Sequence, residues 1–545
     1  MKFSSRDFIF TGVLAAIIAL TAFILPPCPV WITDNGNKYL IMRNFAEHKT
    51  VNLQHKVKQL APTGTFHIQH HNGELRSFYP EFYPVLSSFF YSKNCERAAA
   101  IPAIAGTILC AVLVLYWSKS RVLSAVTALG TALFFYSFVL WEMTLSCAAV
   151  TGALLLVLKL RRPLAGGLLL GASLLLREEA YFAAAAFAFA LLVFKEYRTM
   201  LLFCAGAVIG MLPNWIYQYV QFGSILGLHG KIYLAGTGAF SLSGTLWNYF
   251  HHLLRNEPAA KHGEIYFTIV PTLLLLASGF IKNRRVKYCA VLLMLISGII
   301  MLMRYLGQPY FSYSAACSTG FFAAVPICWP FFADLKRSFT SQSKIYRILS
   351  CFAAVYILTV PSVLTRGDIG LIWSARHFML LMPILVILSA KSLKHIMPAD
   401  IKYAEILPLG VALFAVCQQI AGIYSLYTIS NEARSLENTV REFKTPVIAS
   451  DVFYLPEMTP RLWFENIMLD ISTAQKANAV SNLHPKEMLL ILSNAPQFRR
   501  ISNTDLAKLM QNYVPASGVV RFKKSAGTGF IDLMLLKVRH KGAVR

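Results

Sequence analysis

Long apolar runs separated by short polar loops constrain this chain more than any other feature of its sequence. A run of about 18 or more apolar residues is long enough to cross the hydrocarbon core of a membrane as a helix. The chain has 545 residues, of which 56% are hydrophobic and 14% are charged, whereas soluble domains carry about 25% charged residues. We therefore predict an all-α polytopic membrane bundle of about thirteen transmembrane helices.

The predicted spans are 8–25, 98–117, 122–140, 145–158, 163–176, 180–194, 200–220, 265–281, 288–303, 321–332, 345–363, 377–390 and 403–427.

The loops between these spans alternate in charge. With the N-terminus placed in the cytoplasm, every cytoplasmic connection is basic, and the opposite loops hold most of the acids. This is the positive-inside pattern of multi-pass proteins. It also accounts for the net charge of +25, which we assign to contacts with anionic membrane lipids and not to nucleic acid.

Three segments on the predicted outer face are long: 26–97, 221–264 and 428–545. We divide the chain into a transmembrane domain, 1–427, with a large first extracytoplasmic loop, 26–97, and a C-terminal domain, 428–545. In the tail, "PVIASDVFYL", "EMLLILSN" and "GFIDLMLLKV" are typical of strands, and "ISTAQKANAV" and "NTDLAKLMQNYV" of helices, the second capped by Asn503 or Thr504. Alternation of this kind predicts a small extracytoplasmic α/β domain, with a role in packing or in acceptor docking.

The sequence gives little sign of a disulfide framework or of a metal site. Its ten cysteines are scattered, and no CxxC pair occurs, so we predict neither disulfides nor structural zinc. The pair His70 and His71 has no clear third ligand near it.

Ionisable residues gather where predicted spans end on the outer face. Arg177 and Glu178 follow one short apolar run in "LLLREEAYF", and Glu142 lies in the tight turn "LWEMT". Arg376 begins a late span in "SARHFMLLMP". Ionisable groups at membrane depth are costly and usually functional when they face a cavity. The alternatives are polar turns between spans and a cation that reaches toward lipid headgroups.

Two outer segments add further polar candidates. The first loop contains "HNGELRSFYPEFY", with Tyr79 and Glu81, where aromatic residues indicate either an interfacial belt or a sugar pocket. The segment "FGSILGLHGKIYL" contributes His229 and Lys231 beside flexible glycines.

Asp34 is the first acid beyond the first span, in "WITDNGNKYLIMRNF". The Asn-Gly pair that follows favours a turn, and Leu40, Ile41 and Phe45 favour a helix after it. One explanation of Asp34 is an N-cap for that helix. The other is a reacting carboxylate at the membrane surface, and the two roles are compatible.

In their order and common sidedness these features resemble the GT-C membrane glycosyltransferases. The features are the acid after the first span, the long first loop, the Arg177 turn and the late span that begins with Arg376. The likeness covers roughly residues 1–427. It is strongest to the bacterial branch similar to protein O-mannosyltransferases and lipid A aminoarabinose transferases.

The resemblance implies a polyprenyl-phosphate-linked sugar as donor, and a glycan, glycolipid or protein as acceptor. It implies an outward-facing active site in a bacterial inner membrane, and inversion at the sugar. Asp34 matches the family's catalytic base, although protein mannosyltransferases typically have Asp-Glu where this chain has Asp34-Asn35.

Arg376 is the first candidate for holding the donor phosphate, followed by Arg177, Arg304 and Lys231. The candidates for binding the substrates are Glu178, Glu142, Glu81, Tyr79 and His229. We expect no cofactor, with a divalent metal as the alternative.

Other classes of protein remain open at this point. A transporter or flippase of lipid-linked glycans usually has internal repeats, which the sequence does not show clearly. A polymerase or ligase of lipid-linked glycans typically has its large outer loop late in the chain. A non-catalytic scaffold would not need clustered outer carboxylates and arginines.

Overall fold

The computed structural model describes residues 4–53, 57, 60, 68–77, 79–227, 242–254, 265–306, 320–341, 343–363, 375–399, 404–452, 454–494, 501–523 and 532–543. The predicted site residues His229 and Lys231 lie outside these ranges. The chain is mostly helical and divides into two compact units. Unit 1 comprises Met1–Leu25 and Ala100–Ser425, and unit 2 comprises Pro26–Ala99 and Leu426–Arg545.

Apolar helices form unit 1. Seven helices of the described chain are long and apolar enough to cross a membrane: Ser5–Ile24, Glu96–Ser118, Tyr197–Phe222, Arg284–Arg304, Lys344–Ser362, Arg376–Ile396 and Ile406–Glu442, of which the second and the last continue into unit 2. Four shorter apolar helices are Met143–Leu158, Pro163–Leu175, Ala180–Val193 and Phe267–Ser278. The further helices of this unit are Arg121–Leu129, Leu133–Tyr136, Leu242–Tyr249, Phe250–Leu254, Phe321–Ala324, Pro326–Cys328, Trp329–Ala333 and Leu335–Thr340. The helical membrane fold is thus confirmed, and the count of about thirteen spans stays a prediction.

Two of the predicted spans are broken into shorter pieces. The segment 122–140 forms two helices with Gly130 between them. At this break the Thr131 hydroxyl donates to the carbonyl of Thr127 and accepts from the N–H of Leu133, so a side chain replaces part of the helical ladder. The segment 321–332 is broken because Pro326 and Pro330 have no N–H to donate.

Helices Pro163–Ala172 and Tyr197–Phe222 pack with their backbones in contact. Gly167 and Gly171 lie four residues apart on one helix, and Gly206 and Gly210 are spaced in the same way on the other. A Cβ atom at Gly206 would stand 2.2 Å from the carbonyl oxygen of Leu164. Small residues at this spacing allow close approach of helices in a membrane.

We expect Gly206→Ala to destabilise unit 1 by about 1–3 kcal/mol, because the added methyl group meets backbone that cannot give way. Thermal unfolding of the purified protein in detergent measures the effect. Gly12→Ala is the matched control, since a Cβ atom there meets nothing within 4 Å. Equal midpoints for the two variants would contradict this packing.

Unit 2 contains a mixed sheet and a separate hairpin. The hairpin is β1 (Ile68–His71) with β2 (Glu74–Ser77). The six-stranded sheet is formed by β3 (Val447–Ser450), β4 (Ile467–Asp470), β5 (Glu487–Ser493), β6 (Tyr513–Pro515), β7 (Val520–Lys523) and β8 (Asp532–His540). Its order is β4-β3-β5-β8-β6, with β7 also paired to β8. Strands β3, β4 and β5 are parallel, whereas β8 is antiparallel to its neighbours.

The α/β character predicted for the tail is confirmed. All three predicted strands are present as β3, β5 and β8, and the two predicted helices are Ala474–Asn482 and Asn503–Met510. The cap of the second helix is Ser502, whose hydroxyl accepts from the N–H of Asp505, so the prediction of Asn503 or Thr504 was one to two residues late. The short strands β4, β6 and β7 were not predicted.

The first long loop and the tail share one hydrophobic core. Leu40, Ile41 and Leu75 from the loop pack with Ile448 and Leu489 of the sheet. The helices of the tail pack with the sheet in a second cluster. Unit 2 therefore combines two stretches that are far apart in the sequence. Its other helices are Thr33–His48, Phe82–Ser88, Glu96–Ala100, Leu455–Met458, Pro460–Glu465 and Lys541–Ala543.

Helix Thr33–His48 begins earlier than predicted. Asn35 and Gly36 lie in its first turn and do not form a separate reverse turn. A Cβ atom at Gly36 would stand 1.7 Å from the carbonyl oxygen of Glu457. Glycine is required there because the helix meets the backbone of Leu455–Met458 directly.

Arg461 holds the two stretches of unit 2 together through a buried charge network. Its Nη2 lies 2.7 Å from Glu96 Oε2, and its Nη1 lies 3.3 Å from Glu437 Oε2. It also donates to the carbonyl of Pro27 at 2.9 Å. Tyr39, on the helix Thr33–His48, donates its hydroxyl to the same Glu96 carboxylate at 2.7 Å. Burial opposes the charge on Arg461, but the two carboxylates more than offset this and raise its pKa above the usual value.

We expect Arg461→Met to lower the free energy of unfolding by about 3–5 kcal/mol, because two carboxylates lose their buried partner. Chemical denaturation followed by tryptophan fluorescence measures it. Arg521→Met is the control, since Arg521 is exposed and pairs with Asp532 at the surface; its unfolding should be nearly unchanged. A similar loss in both variants would refute the special role of Arg461.

Candidate active site

Asp34 is a buried carboxylate in the first turn of the helix Thr33–His48. It is 5% exposed, although it follows directly on the loop after the first span. The N-terminus of a helix carries a partial positive charge, which favours an anion at this position.

The cap of this helix is provided by Asn35, so the N-cap explanation of Asp34 is wrong. The Asn35 side-chain oxygen accepts from the N–H groups of Trp31 and Ile32 at 2.8 and 2.9 Å. Its amide nitrogen donates to the carbonyl of Pro29 at 2.9 Å. The side chain at the third helical position thus satisfies the N–H groups before the helix, as in a capping box.

Lys38 lies one helical turn after Asp34, and residues four apart share a helix face. Its side chain is 1% exposed, which is rare for lysine. Its Nζ lies 5.3 Å from the ring centroid of Tyr79, one of the predicted substrate-binding residues. Sequence reasoning missed Lys38, and its spacing from Asp34 was the available signal.

Glu81 lies close to this helix in the chain's first long loop and is almost fully buried. Its carboxylate is 3.4 Å from Nη1 of Arg76, which also pairs with Glu74 of the β1–β2 hairpin. The role of Glu81 in substrate binding stays a prediction.

A second group of charged residues lies in unit 1, and we call it the Arg177 cluster: Glu142, Arg177, Glu179, Arg376 and His377. Arg177 Nη1 lies 3.1 Å from Glu142 Oε1, and its Nε donates to Glu179 at 2.9 Å. Glu179 Oε1 is 3.1 Å from His377 Nδ1, and Arg376 Nε is 3.3 Å from the other ring nitrogen of His377.

Helix starts bring the Arg177 cluster together. Glu142 precedes Met143–Leu158, Glu179 precedes Ala180–Val193, and Arg376 begins Arg376–Leu381. Burial alone would raise the pKa of Glu179, but Arg177 and His377 hold that pKa well below its ordinary value. Glu179 is therefore an anion that neutralises the cations around it.

Aromatic residues surround the cations of this cluster. The guanidinium carbon of Arg376 lies 5.5 Å from the ring centroid of Trp141. The His252 ring meets the edge of His377 at 5.9 Å, and the Tyr356 hydroxyl donates to the carbonyl of His377 at 3.0 Å. These contacts fix the orientation of His377 and of the arginine beside it.

The structure thus joins three of the predicted site residues, Glu142, Arg177 and Arg376, in one network. Besides Glu142, Arg177 pairs with Glu179, the neighbour of the predicted Glu178. Arg304 is exposed and lies over the ring of Phe267 at 5.4 Å. His252, His377 and Glu179 are additional members of the site. Among the described residues, no three His, Cys, Asp or Glu side chains are grouped so that they could hold a metal ion.

The chain combines a bundle of apolar helices with an α/β unit, and acids lie in its first long loop and at helix starts. No protein-family model and no curated protein sequence matches the chain. The solved structures provide the comparison. The crystal structure of ArnT from Cupriavidus metallidurans bound to undecaprenyl phosphate is similar with a TM-score of 0.51 and 11% identity, over 98% of each chain. ArnT from the same organism in the apo state gives a TM-score of 0.44, again with 11% identity and 98% of each chain. The chain therefore has an ArnT-like fold.

We expect the two arginines of the Arg177 cluster to respond differently to substitution. Arg177→Leu should cost about 3–5 kcal/mol of stability, because it leaves two buried carboxylates without their partner. Arg376→Leu should cost less, about 1–2 kcal/mol, because it removes a cation–π contact with Trp141 and a hydrogen bond to His377. Thermal and chemical unfolding of both variants measure the difference. Equal losses would show that Arg376 is as structural as Arg177.

Proposed function

We propose that the protein is a membrane glycosyltransferase of the GT-C type that moves a sugar from a polyprenyl-phosphate donor to an acceptor hydroxyl. The reaction takes place on the extracytoplasmic face of a bacterial inner membrane, with the N-terminus in the cytoplasm and the C-terminal domain outside. The ArnT-like fold supports this class, and the ArnT structure contains bound undecaprenyl phosphate. The observation that carries the proposal is the buried Asp34 at a helix N-terminus, one turn from the buried Lys38.

In this reaction Asp34 is the general base. It takes the proton of the acceptor hydroxyl as that oxygen forms a bond to the anomeric carbon of the sugar. The bond between this carbon and the phosphate oxygen breaks, and its electron pair leaves with the polyprenyl phosphate. Attack opposite to the leaving group inverts the anomeric centre.

The leaving phosphate is an anion and requires cations that hold its charge. Arg376 is our first assignment because its guanidinium lies against the face of Trp141, and a planar guanidinium fits two phosphate oxygens. We add Lys38, which lies one helical turn after Asp34, as a second cation for the leaving phosphate. Arg177 forms ion pairs with Glu142 and Glu179, and we assign it the role of positioning these two carboxylates. Arg304 and Lys231 are further candidates for the phosphate.

The sugar and the acceptor need hydrogen-bonding groups and an aromatic surface. We assign these roles to Glu142, Glu178, Glu81, Tyr79 and His229. The acceptor is a glycan, a glycolipid or a protein, and its class is open.

We expect Asp34→Asn to reduce transfer by roughly 100-fold or more, the size of a lost general base, while the protein keeps its fold. Purified protein receives radiolabelled undecaprenyl-phosphate sugars, with a membrane extract as acceptor, and label in the product is counted. Asp532→Asn is the control, because that carboxylate pairs with Arg521 at the surface of the tail. It should transfer at the wild-type rate. Full activity of folded Asp34→Asn would disprove the base assignment.

The second class is transport of lipid-linked glycans without transfer. Proteoliposomes loaded with labelled lipid-linked sugar, and given no acceptor, separate the two classes. Counterflow of label in wild type, together with no transfer from any donor, would favour a transporter or flippase. Extension of a glycan by repeating units in the transfer assay would favour a polymerase or ligase.

A further inference from the structure

A group of cations lies at the other end of the span that begins with Arg376. The span Arg376–Ile396 carries Lys391 near its end. Over this length a helix rises by roughly 30 Å, which is the thickness of the hydrocarbon core. These cations are therefore separated from the Arg177 cluster by the membrane-spanning length of one helix.

We call this group the basic helix-end cluster, and it consists of Arg284, Lys287, Arg337 and Lys391. Arg284 lies one helical turn before Lys287, which pairs with Asp334, and Arg337 follows Asp334 by three residues at the start of the next helix. The cluster joins the start of the helix Arg284–Leu306, the helix Leu335–Thr340 and the end of Met382–Ile396. Three helices thus contribute cations to one place.

One buried acid lies beside the cluster, and it is already paired. Asp334 Oδ1 lies 2.5 Å from Lys287 Nζ, and both side chains are less than a tenth exposed. Among the residues that the structure describes, no carboxylate forms an ion pair with Arg284 or Arg337. The cluster therefore has an excess of positive charge that repels itself until an anion binds.

Neighbouring side chains fix the position of Lys391 in the cluster. Lys391 Nζ donates to the hydroxyl oxygen of Ser341 at 3.1 Å and lies 4.0 Å from the ring centroid of Tyr346. The Tyr346 hydroxyl is 3.1 Å from that of Ser392. The ammonium group of Lys391 is thus held at a fixed position between two helices.

Apolar surface lies next to Arg284 in the chain. Phe280 is 62% exposed, and Ile281 and Val286 are also exposed. A soluble anion gains nothing from such a surface, whereas the acyl chains of a lipid gain contact with it. Basic pockets between membrane helices are suited to anionic lipid headgroups.

We propose that the basic helix-end cluster is a binding site for the phosphate headgroup of an anionic phospholipid. Arg284 and Arg337 are its two exposed cations, and Lys391 is the cation fixed between helices. The acyl chains lie along the apolar residues next to Arg284. This site is separate from glycosyl transfer and does not depend on it.

The test compares two double variants that remove the same charge. Arg284→Gln/Arg337→Gln removes the exposed cations of the cluster. Arg162→Gln/Arg198→Gln is the matched control, because those arginines are also exposed at helix ends but lie outside the cluster. Both pairs of side chains are on the surface, so the variants should fold, and size-exclusion chromatography of each confirms it.

Delipidated full-length protein is titrated with phosphatidylglycerol or phosphatidylcholine in detergent, and bound lipid is counted by native mass spectrometry. We expect wild type and control to bind phosphatidylglycerol alike and the cluster variant roughly 30-fold more weakly, at about 1 kcal/mol for each arginine. Phosphatidylcholine should bind weakly to all three.

Three results would overturn the site. The first is an equal loss in both double variants, which would mean that general surface charge holds the lipid. The second is equal binding of phosphatidylcholine and phosphatidylglycerol to wild type. The third is displacement of phosphatidylglycerol by millimolar inorganic phosphate, which would identify a soluble phosphate as the ligand.

Discussion

The contacts of Arg461 are the interaction on which the arrangement around Asp34 depends. This arginine joins Glu96 from the first long loop to Glu437 from the helix Ile406–Glu442, and Tyr39 shares the Glu96 carboxylate. Tyr39 lies on the same helix as Asp34, so the network fixes the position of that helix. Two buried carboxylates keep the guanidinium charged, and the guanidinium in turn allows both carboxylates to stay buried. The proposed base is thus held by residues from both ends of the chain.

Unit 1 has two clusters of charged residues at helix ends, and they differ in whether acids balance the cations. In the Arg177 cluster, Glu142 and Glu179 balance the cations, so the group is stable in the absence of a ligand. In the basic helix-end cluster, Asp334 pairs with Lys287, and no described carboxylate forms an ion pair with Arg284, Arg337 or Lys391. A balanced cluster can position a substrate, whereas an unbalanced cluster favours binding of an anion.

Each unit contains a place where glycine allows two stretches of backbone to pack in direct contact. In unit 1, paired glycines bring Pro163–Ala172 against Tyr197–Phe222, and in unit 2, Gly36 meets the backbone at Glu457. Both contacts exclude even a methyl group. The glycine spacing in unit 1 is visible in the sequence as two small-residue pairs four apart, but the partner of Gly36 lies more than four hundred residues away in the chain.

The sequence by itself determined the helical membrane class, the strands β3, β5 and β8 and the resemblance to GT-C enzymes, because hydrophobic runs and their periodicity are local properties. It also selected Glu142, Arg177 and Arg376, since ionisable residues at the ends of apolar runs are conspicuous. Tertiary structure decided that Lys38 is buried beside Tyr79 and that the first loop shares a core with the tail. Such pairings depend on contacts between distant segments, and no local pattern in one sequence records which segments will meet.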